Sequence, residues 1–283
     1  MQAQSTADLP STRIELAPCR AGDLEVRLAT TAAEVRAAQA LRYAVFYREM
    51  SARPDAAARL SWRDADAFDD RCDHLVVVDH ASGPGSGDGD VGDGEIVGTY
   101  RLIDAGAATA AGGFYSEGEY DLSPLLAFRG PDGRRPNLLE LGRSCVAPAY
   151  RTSASIMLLW RGIASYLEAA SIYYLFGCAS FPGVDPDAIA AELALLHHRH
   201  RSAIGVRTRP ELHVPMGRVP AHALDERAAW RKLPPLVRGY LQAGASVGDG
   251  AYIDHQFGTV DVFMLVATAG IRDRYRARFA PEG

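Results

Sequence analysis

Apolar residues recur at helical spacing from Ala32 to Glu49, through Val35, Ala38, Leu41, Ala44 and Val45. That pattern predicts a helix with Thr31 as its N-cap. A second helix is predicted from Ser153 to Ala170, with Ile156, Leu159, Trp160, Ile163 and Leu167 on one face. Asp185-Pro186 puts proline in the first turn of a third, running to about His200. A short fourth follows Leu233-Pro234-Pro235 to Ala243. Leu24 to Leu28 alternates like a strand, and apolar strand runs follow at His74 to Asp79, Glu95 to Ile103, Leu138 to Val146, Ile172 to Ala179 and Val260 to Ala267. Residues 81–94 are nearly all Gly, Ser, Asp and Pro and read as a hairpin loop between two strands. Residues 104–137 and 205–232 read as insertions. The first holds Phe114, Tyr115, Tyr120, Leu122 and Leu125, and an irregular loop of that length suits a lid. The order of elements predicts an α/β fold with a mixed sheet. Residues 1–20 read as a flexible leader and 21–283 as one domain.

Composition narrows the class. With 48% apolar residues the chain has enough material for a packed core. A net charge of −5 speaks against general nucleic-acid binding. Cys19, Cys72, Cys145 and Cys178 are widely spaced, which fits reduced thiols and indicates neither a zinc site nor a disulfide framework. The run His197-His198-Arg199-His200-Arg201 reads as a basic helix end, so no metal is expected. With Arg207 and Arg209 it could also dock an acidic carrier protein. The N-terminal stretch lacks the apolar core of a signal peptide, and no run of about 18 apolar residues occurs. The expected location is cytoplasmic, with peripheral contact on the inner (cytoplasmic) membrane through the arginine-rich tail Arg272, Arg274, Arg276 and Arg278.

The chemistry concentrates in Leu138-Leu-Glu-Leu-Gly-Arg-Ser-Cys-Val-Ala-Pro-Ala-Tyr-Arg151. A buried strand ends there and a helix begins at once, and free N–H groups at a helix start attract anions such as phosphate. Glu140 and Arg143 lie among apolar neighbours, where charge is costly unless paired or used. Burial raises a carboxylate pKa, so Glu140 is a candidate general base, with an ion pair to Arg143 as the structural alternative. On a regular strand those two side chains face opposite ways, so a direct pair would require a bulge. Asp66, Asp69, Asp70 and Asp73 crowd one segment and call for cationic partners, which Arg42, Arg101 and Arg143 could supply; Asp70 is left as an ordinary solvated acid.

Four segments, in order, resemble the GNAT superfamily of N-acyltransferases: Leu41-Arg-Tyr-Ala-Val-Phe46, Asp66-Ala-Phe-Asp-Asp-Arg-Cys-Asp-His-Leu75, Gly98-Thr-Tyr-Arg-Leu102 and Glu140-Leu-Gly-Arg-Ser-Cys-Val146. More narrowly the chain resembles the bacterial L-ornithine N-alpha-acyltransferases that make lyso-ornithine lipid, over roughly residues 24–279. The resemblance implies a GNAT-like fold, a central, mostly antiparallel mixed sheet flanked by helices. It implies transfer of a 3-hydroxy fatty acyl group from acyl carrier protein to the α-amine of L-ornithine, the first step of ornithine lipid biosynthesis. No cofactor would be bound; the acyl-phosphopantetheine of acyl carrier protein is the co-substrate.

The same segments are similar to acyl-homoserine-lactone synthases. Matched residue by residue, Glu140, Arg143 and Asp69 take catalytic places, and Arg42, Phe46, Asp66 and Arg101 take substrate-binding ones. The resemblance also implies an oxyanion-holding backbone N–H near Cys145 or Val146. Coenzyme-A-binding GNAT members have a glycine-rich turn where this chain reads Arg151-Thr-Ser-Ala-Ser155. Side chains there crowd a pyrophosphate but leave room for a single phosphate, which Arg151, Ser153 and Ser155 could bind, with Val146 beside the acyl arm. The alternatives are an acyl-homoserine-lactone synthase and a non-catalytic GNAT-like module that binds carrier protein.

Overall fold

The structure is a computed structural model that describes residues 14–82, 94–130 and 133–269. In chain order the elements are β1 (Cys19–Ala21), β2 (Leu24–Leu28), α1 (Ala32–Tyr43), α2 (Ala56–Ser61), β3 (Asp73–Asp79), β4 (Glu95–Asp104), α3 (Ala105–Ala111), β5 (Tyr120–Asp121) and α4 (Ser123–Ala127). They continue with β6 (Leu138–Val146), α5 (Ser153–Ala169), β7 (Tyr174–Pro182), α6 (Ala190–Arg199), β8 (Arg207–Thr208), α7 (Glu226–Lys232), α8 (Pro235–Gln242), β9 (Ser246–Asp254) and β10 (Thr259–Ala267). The chain forms two compact units, one of residues 1–112 and 141–171, the other of residues 113–140 and 172–283.

In the first unit β1, β2, β3 and β4 pair antiparallel, and the last part of β6 lies beside β4. Helix α5 packs on β2 and β3, and α1 on β3 and β4. The central strand β3 is buried along its whole length, which is why it reads as an unbroken Leu-Val-Val-Val run instead of alternating. Thr31 caps α1 as predicted. Its hydroxyl accepts from Glu34 N while the Glu34 carboxylate accepts from Thr31 N, a reciprocal capping box. Beyond Tyr43 the helix widens into a π-helical turn, Ala44–Glu49.

In the second unit the first part of β6 pairs parallel with β7, β7–β10–β9 is antiparallel, β8 runs parallel to β9, and β5 pairs antiparallel with β8. The expected mixed, mostly antiparallel sheet with flanking helices is thus present. Residues 104–137 are not the irregular lid expected. The alanine-rich stretch folds as α3, capped by Asp104, and Phe114, Tyr120, Leu122 and Leu125 are core residues. Alanine carries strong helix propensity without an amphipathic stripe, so periodicity overlooked it. Helix α6 starts at Ala190, later than expected, because the Asp185 carboxylate accepts from Asp187 N and holds a turn there. The leader to residue 13, most of the glycine-rich loop and the arginine tail lie outside the described residues. No helix among the described residues is long and apolar enough to cross a membrane.

Candidate active site

Three arginines and two acids nominated from the sequence, Asp66 and Asp69, meet with one addition, Asp64, inside the first unit. Arg42, at the end of α1, is fully buried, and its guanidinium reaches Asp64 at 2.9 Å and Asp69 at 2.7 Å. Arg101 on β4 is buried too and grips Asp66 at 2.6 and 2.7 Å and Asp69 at 3.3 Å. Arg143 reaches Asp64 at 3.1 Å and Asp66 at 3.5 Å. Gln39 and Tyr47 complete the shell, donating to Asp69 and Asp64. Three guanidiniums thus balance Asp64, Asp66 and Asp69, which makes so much buried charge tolerable. Burial works against ionisation of Asp69, but the Arg42 and Arg101 charges outweigh it and hold the carboxyl well below the usual carboxylate range.

Access differs across this network. The side chains of Arg42, Arg101 and Asp69 are 1%, 0% and 2% exposed, whereas Asp66 is 27% and Arg143 14% exposed. Asp66 and Arg143 therefore form its solvent-reaching edge. Arg143 gets there through a backbone in the left-handed region, φ 51°, the local irregularity that a regular strand would lack. Phe46 lies half-buried in the π-helical turn just past Arg42. Such turns cluster at functional sites because they re-aim side chains.

Asp64 was not singled out from the sequence. Its signal was the Asp-Ala-Asp spacing ahead of Asp66, but its partners stand far away along the chain. Asp70 is exposed, as a solvated acid should be, while Asp73 accepts from the Tyr166 hydroxyl at 2.9 Å. Asp69, Cys72 and His74 bring metal-ligand atoms within 4.8 Å of one another. Their ligand atoms are already engaged: two guanidiniums claim Asp69, His74 Nε2 lies 2.9 Å from the Asp69 carbonyl, and burial pushes the Cys72 thiol up to about 12.

Glu140 belongs to the second unit. It is buried, and its carboxylate accepts from Tyr115 N at 2.7 Å, from Ser116 N at 2.8 Å and from the Ser116 hydroxyl. Three donors satisfy the buried carboxylate. Nearby is a group that no sequence pattern singled out. Glu119 accepts a hydrogen bond from the Cys178 thiol at 3.4 Å, and burial together with the charge of Asp261 pushes its carboxyl up to about 8. The Ser116 and Glu119 signal lay in the aromatic insertion, hidden by its lack of period.

At the strand-to-helix corner, Thr152 caps α5 and accepts from Ser155 N at 3.3 Å. Ser155 is buried and Ser153 exposed at the first helical position. Arg151 is claimed by Glu49 in a two-pronged pair at 2.5 and 2.7 Å, and donates to the Val146 carbonyl at 3.1 Å. The four phosphate and acyl-arm candidates are therefore adjacent, but the arginine already has a partner. Burial pushes the neighbouring Cys145 thiol up to about 12, as a packed apolar cysteine rather than a nucleophile. The basic helix end of α6 is also internally paired: Arg199 with Glu226, Arg201 with Asp249, and His198 to the Val219 carbonyl.

Residues 41–161 match the acetyltransferase (GNAT) domain family. The L-ornithine N(alpha)-acyltransferase of Brucella abortus is 45% identical over 267 residues, spanning 93% of this chain and 91% of that protein. The enzyme of the same name from Agrobacterium fabrum is 44% identical, spanning 93% and 87%. Among solved structures, the AHL synthase LasI is similar at a TM-score of 0.45 and 12% identity, covering 88% of this chain and 95% of that one. By identity that extends over nearly its whole length, this chain belongs to the L-ornithine N(alpha)-acyltransferase family.

Proposed function

We propose that this protein transfers a fatty acyl group, 3-hydroxylated by preference, from the phosphopantetheine thioester of acyl carrier protein to the α-amine of L-ornithine, giving lyso-ornithine lipid. The observation that carries this reading is the 45% identity, over 93% of the chain, to a relative bearing the ornithine acyltransferase name. In the reaction the α-ammonium loses a proton, its nitrogen attacks the thioester carbonyl, the C–S bond breaks, and the thiol leaves with a proton. We assign Glu140, oriented by its three donors, to take the ammonium proton directly or through one water. Arg143 and Asp66, at the accessible edge of the charge network, exchange one another for the carboxylate and an ammonium of ornithine. Arg42, Asp69 and Arg101 are too buried to reach out, and we assign them the positioning of that edge. Phe46 and Val146 line the acyl arm, and the start of α5, with Arg151, Ser153 and Ser155, receives its phosphate.

The test is an endpoint assay by mass spectrometry. Purified protein receives 3-hydroxyacyl carrier protein with ornithine, and separately with S-adenosylmethionine. Acyl-ornithine in the first arm is expected; a lactone in the second would transfer the assignment to an acyl-homoserine-lactone synthase, and carrier binding without either product to a binding module. Glu140→Gln is expected to lower turnover by about 10²–10⁴-fold while leaving carrier binding intact. Unchanged turnover would remove Glu140 from the mechanism.

A further inference from the structure

Residues 48–63 of the first unit carry an unusual surface. Met50, Leu60 and Trp62 are 51%, 85% and 55% exposed, three of the large apolar side chains that the described residues leave in water. Between and beside them stand Arg48, Arg53, Arg59 and Arg63. The acids of the same stretch are otherwise engaged: Glu49 with Arg151 at 2.5 Å, and Asp55 as the cap that accepts from Ala58 N at 2.7 Å. The backbone turns at Trp62, φ 56°, into a region that bulky residues rarely occupy, and there the indole stays half in solvent. Arg48 lies over its ring at 4.4 Å, and Tyr43 meets it edge-on at 5.6 Å. The ring is thus braced from beneath and its outer part left open, although full burial would have been more favourable.

Apolar side chains flanked by unneutralised arginines, with an amphipathic indole among them, are the chemistry of an interface between hydrocarbon and anionic headgroups. We infer that the segment Arg48–Arg63 is a docking surface for an anionic lipid bilayer, with Leu60 and Trp62 entering the headgroup layer and the arginines pairing with lipid phosphates. This segment is distant in sequence from the arginine tail. The inference adds to the acyl-transfer reading and rests on it only for the need, since the product of that reaction is an amphiphile that must reach a membrane.

The experiment is sedimentation of the full chain with vesicles of phosphatidylcholine alone or mixed with phosphatidylglycerol. Binding to the anionic vesicles, weakening with salt, is expected. The Leu60→Ser/Trp62→Ser variant should lose at least about tenfold in vesicle affinity, given the apolar area withdrawn. Arg53→Gln/Arg59→Gln should lose roughly fivefold per arginine. Circular dichroism checks that both variants fold, and their turnover on a short-chain acyl carrier protein with ornithine should match the parent's. Vesicle binding that is absent in the parent, or unchanged in both variants, overturns the inference. So does a loss confined to carrier-protein affinity or to self-association, which would assign the patch to a protein partner. None of these vesicle results touches the acyl-transfer reading, which fails only if the parent makes no acyl-ornithine.

Discussion

At the scale of single residues, the charge network separates two jobs that sequence alone could not. Arg42 and Asp66 both looked like substrate ligands, yet one is sealed and the other reaches solvent. Removing Arg42 leaves Asp64 and Asp69 buried with one cation fewer, and an uncompensated buried charge is expensive. Arg42→Met is therefore expected to destabilise the protein by about 3–5 kcal/mol, read from the midpoint of urea unfolding at constant slope. Asp66→Asn leaves the buried Arg101 with one anion fewer, so it should cost roughly 1–3 kcal/mol, less than Arg42→Met because Asp66 itself is partly exposed. Its distinguishing mark is a raised KM for ornithine. If Arg42→Met left stability untouched while raising KM, the division between positioning and contact would be wrong. The Arg143–Asp64 contact explains why this was hidden: the two residues are 79 apart in sequence, and the backbone irregularity that aims Arg143 leaves no compositional trace.

At the scale of elements, legibility followed the source of the specifying energy. Helix α1 was readable because Thr31 and Glu34 specify its start locally, and β3 because full burial writes an apolar run. Strand β9 was not read at all. Its Ser-Val-Gly-Asp-Gly-Ala sequence looks like a turn, since glycine is poor in strands. The fold uses glycine there for space. A methyl group at Gly250 would come within 2.2 Å of the Thr208 hydroxyl and 2.3 Å of His213 Nδ1, and its φ of 86° is a region that side chains avoid. Backbone strain and crowding then act together, so Gly250→Ala is expected to lose about 3 kcal/mol, visible as a lowered Tm. A Tm unchanged within a degree would show that β9 can slide to make room. The candidate site was legible in the same uneven way: its members could be nominated from four segments, but Asp64, Ser116 and Glu119 depend on contacts that only tertiary packing creates.

At the scale of the whole chain, the perturbed acids set how stability should vary with pH. Asp69 has a folded pKa held below its unfolded value, so its contribution is complete above about pH 4 and is lost as the pH falls below that. Glu119 is the opposite case. Its folded pKa is raised to about 8 from an ordinary value of 4.5, so the folded state keeps a proton that the unfolded chain releases. Its contribution is complete below about pH 4.5, declines as the pH rises, and is gone above about 8. His74 acts against it: burial holds its imidazole neutral down to about pH 4, against 6.5 ordinarily, so its contribution grows over that range and is complete above about 6.5. Because Glu119 is only half-buried, solvent screening reduces its loss to on the order of 2 kcal/mol. Glu119→Gln cannot ionise but keeps His74, so its stability relative to the parent should rise from pH 5 to 8. Urea unfolding of both proteins at half-unit pH steps checks this. Parallel curves would mean that Glu119 ionises at its ordinary pKa in the folded chain, and that the carboxyl beside Cys178 is hydrated instead of sequestered.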